Sequence, residues 1–180
     1  MTRAESNPAH ANTRDVHRAF KERLNFADQT DFENARRGLV EAVPHNGIVK
    51  NPKGSPVWDL TAYDFLSDEG DIDTVNPSLL RMARLNMNNG LFQVADRVYQ
   101  IRGIDLANMT IIEGKTGLIL VDCMTVAEVA TAGLELYFRH RPRRPVRALF
   151  YTHSHVDHYG GAKGVLTQAA VDAGEARVFA

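Results

Sequence analysis

Apolar positions change their rhythm near residue 90. Before it they recur at helical spacing. Val16, Phe20 and Leu24 stand four apart, as one face of an α-helix requires. Thr30 and Glu33 make a capping-box pair, in which hydroxyl and carboxylate satisfy backbone N–H groups that a helix start leaves unpaired. Phe32, Ala35, Leu39 and Val43 follow on one face, so a second helix is predicted from Thr30 until Pro44 and Gly47 stop it. Ile48–Lys50 and Val57-Trp58 flank Asn51-Pro52-Lys53-Gly54, a type I turn sequence, and read as a small hairpin or extended arm. Asn76-Pro77 opens a third helix, since the first helical position has no use for the N–H that proline lacks. It runs to about Asn88, and Gly90 stops it.

From Leu91 onward short apolar runs alternate with turns. Phe92–Ala95, Val98–Arg102, Met109–Glu113 and Leu118–Val121 are predicted strands, with Gly114-Lys115-Thr116-Gly117 turning between the last two. Val126–His140 is predicted helical, with Val126, Val129, Gly133 and Leu136 or Tyr137 inward, and Pro142 and Pro145 break it. Val146–Tyr151 is a strand, a polar loop follows, Gly160–Ala173 is read as a helix, and Arg177–Phe179 starts another strand. Helices alternating with buried strands indicate an α/β sheet. The expected organisation is a helical N-terminal arm over 1–90 and an α/β domain over 91–180. The sequence stops within a strand, where an unfinished edge lies open, so a truncated domain is expected.

Composition narrows the class little. The 180 residues carry 21 basic and 22 acidic side chains, a formal charge of −1, which marks no nucleic-acid or membrane surface. Arg139, Arg141, Arg143, Arg144 and Arg147 form one basic run, read as the solvated end of the helix and its following turn. Cys123 is the single cysteine, so no internal disulfide can form, and it is either a thiolate ligand or a small buried residue. No apolar run is long enough for a membrane span, and Met1–Pro8 lacks a signal-peptide core. A cytoplasmic location is expected, or a periplasmic or secreted one if a further segment precedes Met1.

The chemistry concentrates in the loop after Tyr151. His153, His155, Asp157 and His158 place four metal-competent side chains within six residues, between a strand and Gly160-Gly161. Imidazole and carboxylate suit zinc, and also iron or manganese. Adjacent Asp157 and His158 do not easily serve the ion that holds His153 and His155, so two neighbouring ions are the more natural solution. Asp122 ends the Leu118–Val121 strand, where it reads on its own as a cap for the following helix. Gly114-Lys115-Thr116 is no phosphate loop, because Met109 stands where the leading glycine belongs and no helix follows. His10, His17, His45 and His140 read as solvated or structural.

The His-x-His-x-Asp-His loop resembles the signature of metallo-β-lactamase-fold enzymes. Blocks along the rest of the chain narrow the resemblance to the linear alkylsulfatases, zinc enzymes that hydrolyse dodecyl sulfate. These blocks are Asp31–Gly38, Val57-Trp58-Asp59, Thr74–Leu79, Gly90–Val94, Val98–Gly103, Asp105–Thr110 and Tyr151–Gly161. The resemblance implies the N-terminal portion of an αββα sandwich and a dinuclear zinc centre, with His153 and His155 on one ion and Asp157 and His158 on the other. It also implies that Asp122 orients a ligand from beneath, that the remaining ligands lie beyond Ala180, and that a domain absent here forms a homodimer. The expected reaction is hydrolysis of an alkyl sulfate to alcohol and sulfate, with the 180-residue chain itself inactive. The alternatives are a lactonase or thioesterase on the same fold, or an inactive truncated product.

Overall fold

A computed structural model describes residues 7–67, 70 and 72–180, and its contacts divide into two compact units. The first holds residues up to Ala35 and from Asp64 to Met87; the second holds Arg36–Tyr63 and Asn88–Ala180. The units therefore interleave along the chain.

The first unit is helical: α1 (Ala11–Arg23), α2 (Thr30–Arg36) and α3 (Pro77–Asn86). The Asn76 side chain caps α3 by accepting from Ser78 N–H, and Pro77 takes the first helical position. The start of α2 is held differently from the predicted capping box. Asp28 Oδ1 accepts from Thr30 N–H at 2.9 Å, and Thr30, through its hydroxyl first and this N–H second, draws the Asp28 carboxyl below its ordinary pKa. Arg81 of α3 reaches back to Asp31 of α2 and lies over the Phe32 ring. The Val16, Phe20 and Leu24 stripe of α1 is exposed.

The second unit is a seven-stranded sheet with a helix on one face and a small hairpin beside it. Its strands are β1 (Leu39–Glu41), β2 (Ile48–Lys50), β3 (Pro56–Asp59), β4 (Gly90–Ala95), β5 (Val98–Arg102), β6 (Met109–Glu113), β7 (Leu118–Val121), β8 (Val146–Phe150) and β9 (Arg177–Phe179). The large sheet runs β1-β4-β5-β6-β7-β8-β9, and β2 pairs with β3 alone. From β1 to β7 neighbours are antiparallel; β7-β8 and β8-β9 are parallel. The parallel step from β7 to β8 is made by α4 (Ala127–His140), as parallel neighbours require a crossover.

Two helices expected from the sequence take another form in the structure. The second does not run to Val43: Gly38 adopts φ +78, its carbonyl accepts from Gln93 N–H, and Leu39–Glu41 becomes an edge strand. A Cβ on Gly38 would stand 2.2 Å from Gln93 O, so no other residue fits that approach. The span 160–173 is also no single helix. It divides into a 3-10 turn, Ala162–Gly164, and the short α6 (Gln168–Asp172), preceded by α5 (Val156–Tyr159) inside the supposed loop.

Alternation decides the sheet's two faces. Tyr99, Ile101, Met109, Ile111, Leu118, Leu120 and Leu149 point one way and are buried against α4, through Val129, Leu136 and Tyr137. Each such aliphatic side chain stabilises the fold by about 1.5–3 kcal/mol. On the opposite face Ile112, Ile119 and Val121 are only half-buried, and Phe150 stacks on Phe179 at 4.5 Å with both rings partly in solvent.

The arginine run is engaged, not merely solvated. Arg139 pairs with Glu41, Arg143 with Glu135, and Arg144 and Arg147 donate to the carbonyls of Lys115 and Glu175. Arg141 grips Glu113 through Nε (2.6 Å) and Nη2 (3.0 Å), while the Tyr137 hydroxyl donates to the same carboxylate at 2.8 Å. The Arg141 guanidinium holds the Glu113 carboxyl below the usual glutamate range against an opposing push from burial. A carboxyl whose pKa is depressed by folding contributes stability that is present above its unfolded value and lost as pH falls through its folded one. Glu113→Gln is therefore expected to lower the melting temperature by a few degrees at pH 7, and the gap to the wild type should close as pH drops below about 4. Melting curves across that range check it; a gap independent of pH would exclude the charge as its cause.

Candidate metal centre

Strands β7 and β8 run parallel and side by side, with Val121 opposite Phe150. Their carboxyl ends therefore open at the same edge, the place where α/β sheets present their sites. Asp122 follows the first and Tyr151–His155 the second. The predicted site residues thus arrive together although some thirty positions separate them in the chain.

The bed beneath the histidine loop is a strained turn. Asp122 and Met124 adopt φ +57 and +67. Such conformations cost on the order of 1–3 kcal/mol each and persist only where surroundings impose them, although Asp tolerates the left-handed region better than most. Three backbone hydrogen bonds impose them here: Asp122 N–H to Phe150 O (2.8 Å), Cys123 N–H to His158 O (2.9 Å), and Gly161 N–H to Met124 O (2.8 Å). The loop lies directly on this turn. A Cβ on Gly160 would fall 2.2 Å from Thr125 O, and one on Gly161 2.0 Å from Cys123 O. Cys123 is fully buried in the bed, where burial first and the neighbouring Asp122 charge second push its thiol up to about 12. It is a neutral packing residue there, and of the two roles open to it the burial fits the second.

Asp122 faces the loop and does not cap α4, whose N-cap, Val126, has no side-chain cap bond. Its carboxylate accepts from Thr152 N–H at 2.8 Å, from the Thr152 hydroxyl at 2.8 Å, and lies 2.7 Å from His158 Nδ1. A proton held on Nδ1 by that carboxylate leaves Nε2 as the lone-pair nitrogen. Thr152 Oγ also lies 3.0 Å from His153 Nδ1, so one hydroxyl touches the carboxylate and an outer histidine. Sequence reasoning assigns Thr152 no role; its position directly before His153 is the available signal.

The four expected donors form two pairs. His153 Nε2 and His155 Nδ1 are 3.0 Å apart, and His158 Nε2 and Asp157 Oδ2 are 3.3 Å apart. Two donors held about 2.0–2.1 Å from one tetrahedral ion stand roughly 3.3–3.4 Å from each other; the His158–Asp157 pair matches that spacing, and the His153–His155 pair stands a few tenths of an ångström closer, at hydrogen-bond distance. The pairs adjoin, with the His153 and His158 rings 3.9 Å apart. His153 and His155 are exposed, Asp157 and His158 half-buried. Donor chemistry and spacing fit a metal, but only as part of a ligand set: among the described residues no group of three or more His, Cys, Asp or Glu side chains is assembled to hold one. Of the remaining histidines, His10 caps α1, His17 Nδ1 meets the Asp73 carbonyl and His140 meets Glu41. The His45 side chain lies outside the described part of the structure.

A sheet bearing this loop at the carboxyl ends of parallel strands defines a class, and residues 102–177 match the family model of the metallo-beta-lactamase superfamily. Compared over nearly all of its residues, the chain is similar to alkylsulfatases. It is 51% identical over 176 residues, 98% of its length, to an (R)-specific secondary-alkylsulfatase of Pseudomonas sp., of which it covers 26%. An alkyl/aryl-sulfatase of Saccharomyces cerevisiae is 49% identical over 87% of the chain, and a linear primary-alkylsulfatase of Pseudomonas sp. 45% identical over 96%; the chain covers 24% and 26% of these. Its fold superposes on the stereoselective inverting sec-alkylsulfatase of Pseudomonas sp. with a TM-score of 0.90 at 51% identity, over 97% of this chain and 27% of that one. The chain thus spans about a quarter of the length of the curated relatives it matches.

Proposed function

We propose that these residues are part of a metal-dependent hydrolase that cleaves alkyl sulfate esters to alcohol and sulfate. The two donor pairs at the ends of β7 and β8 carry the reading. In it His153 and His155 hold one zinc ion and Asp157 and His158 a second, with further ligands supplied from outside these 180 residues. Bound zinc would supply Lewis acidity, lowering the pKa of water and neutralising charge on sulfate oxygens. The protein's own part is orientation. Asp122 keeps the His158 proton on Nδ1, and Thr152 ties Asp122 to the loop, so the donors need little rearrangement. The relatives' names include both secondary and primary alkylsulfatases, so the proposal extends to either substrate class and is not restricted to linear ones. A lactonase or thioesterase reading has no comparable support, since the N-terminal blocks match the alkylsulfatases too.

The test is made on the natural full-length polypeptide. Metal analysis should find about two zinc ions per chain, and sulfate should be released from dodecyl sulfate or a secondary octyl sulfate, with loss on chelation and recovery on zinc addition. Hydrolysis of a lactone or thioester without sulfate release would overturn it. The 180-residue chain alone is expected to bind zinc weakly, because two donors per ion fall short of the three or four that zinc sites use. Competition with a chelator measures this; tight stoichiometric uptake by the short chain would contradict the proposed division of ligands.

A further inference from the structure

Asp105 lies in the turn between β5 and β6, far in sequence from the histidines, and is buried to 9% exposure. Burying a carboxylate is costly unless its oxygens are well satisfied. Here they are met by neutral donors that converge on one partner. Oδ1 accepts from the Thr125 hydroxyl at 2.6 Å and from Leu106 N–H at 2.7 Å, with Ala107 N–H further off at 3.5 Å. Oδ2 accepts from Thr125 N–H at 3.1 Å. Side chain and backbone of Thr125 are therefore clamped by the two oxygens of one group. Thr125 directly follows Met124, the left-handed residue whose carbonyl receives Gly161 N–H, and its own carbonyl forms the floor beneath Gly160. Cys123, one residue earlier, donates to the His158 carbonyl.

We propose that Asp105 is a positioning residue for the histidine loop. Acting through Thr125, it locks the Asp122–Met124 turn in its left-handed conformation, and this sets the contact between Asp122 and His158. Asp122 reaches the loop directly; Asp105 determines where Asp122 stands. The proposal rests on the metal-centre reading for one of its two measurements and is independent of it for the other.

The full-length polypeptide is compared with its Asp105→Asn variant, which keeps size but must turn an N–H toward a donor, and with Thr125→Val and Thr125→Ser. In the metal-free protein, the His158 Nδ1 proton is followed by NMR as a downfield signal held by Asp122. Asp105→Asn and Thr125→Val should shift it upfield or broaden it away, while Thr125→Ser, which retains the hydroxyl, should restore it. With cobalt(II) as the metal, Asp105→Asn should weaken binding about tenfold. In an Asp122→Ala background it should add nothing, since its effect passes through that residue. The proposal is overturned if Asp105→Asn melts lower yet keeps the His158 signal and cobalt affinity, or if the two substitutions multiply. If the wild type takes up no cobalt, the metal reading falls instead, and the His158 signal alone decides the role of Asp105.

Discussion

Asp122→Ala in the full-length polypeptide is expected to weaken metal binding about 10- to 100-fold, the usual cost of losing a carboxylate that orients a ligand histidine. The structure explains why the loss falls at the high end. One carboxylate serves the Thr152 N–H, the Thr152 hydroxyl and His158 Nδ1 together, so its removal strips three partners at once. Alanine also tolerates φ +57 less well than aspartate, so the backbone of the bed is pushed toward another conformation. Asp122→Asn separates the two effects. It tolerates the left-handed region and keeps one acceptor oxygen, but presents an amide N–H to Thr152 or to His158. A smaller loss is expected, and the difference between the variants measures the backbone's share. Zinc titration with a competing chelator gives both values, and unchanged affinity in Asp122→Ala would remove the carboxylate from any part in the centre.

Gly161→Ala should be among the most damaging single-methyl additions in the second unit. The added carbon would stand 2.0 Å from Cys123 O and 2.8 Å from Ala130 Cβ. Neither the carbonyl nor the helix behind it can yield as a flexible side-chain tip could, so the loop must lift. Overpacking of this kind costs about 3 kcal/mol or more. For a chain of this size that lowers the melting temperature by roughly 6–12 °C. Lifting the loop also lengthens Cys123 N–H to His158 O and Gly161 N–H to Met124 O, so metal affinity should fall with stability. Gly174→Ala is the control: open space surrounds that position, and its cost is only that of a positive φ. Melting curves of both decide the matter, and equal shifts would show that the close approach is unimportant.

The strands were legible because both periodicities act on them cleanly. Val98–Arg102, Met109–Glu113 and Leu118–Val121 alternate buried and open residues, as a sheet covered on one face by a helix demands, and their bounds agree with the sequence reading. The predicted hairpin over residues 48–58 is also present, closed by Gly54 N–H on Asn51 O. Leu39–Glu41 was not legible, because Phe32, Ala35, Leu39 and Val43 keep helical spacing while the feature that breaks the helix is a tertiary one: Gly38 meets Gln93 far along the chain. The span 160–173 misled for the same reason. Its apolar positions suit a helix, yet Gly160, Gly161 and Gly164 are shaped by backbone carbonyls of residues 123–127 that no local pattern shows. In the site, the four candidate donors stand out as a motif and Asp122 as a strand end. Whether Asp122 serves the helix or the loop is a matter of its tertiary hydrogen bonds, to Thr152 and His158, which no local pattern carries. Asp105 opens one of the resembling blocks, but its role was not legible there, since its partner is twenty residues away.

The place of β1 in the sheet has a consequence for the order in which the chain can assemble. Strands β4 to β7 are joined by short turns and can pair as soon as they exist, whereas Leu39 pairs with Phe92 and Glu41 with Leu91. Chains emerge N-terminus first at about 5–20 residues per second. The edge strand therefore waits roughly 3–10 s after its own synthesis for β4 to appear, with Leu39 and Val40 still partly exposed even in the finished fold. During that interval the backbone donors and acceptors of residues 39–41 are open to any other strand edge nearby. Slow codons or a bound chaperone over that stretch of translation would bear on the yield of folded protein more strongly than the same delay after β4 has formed.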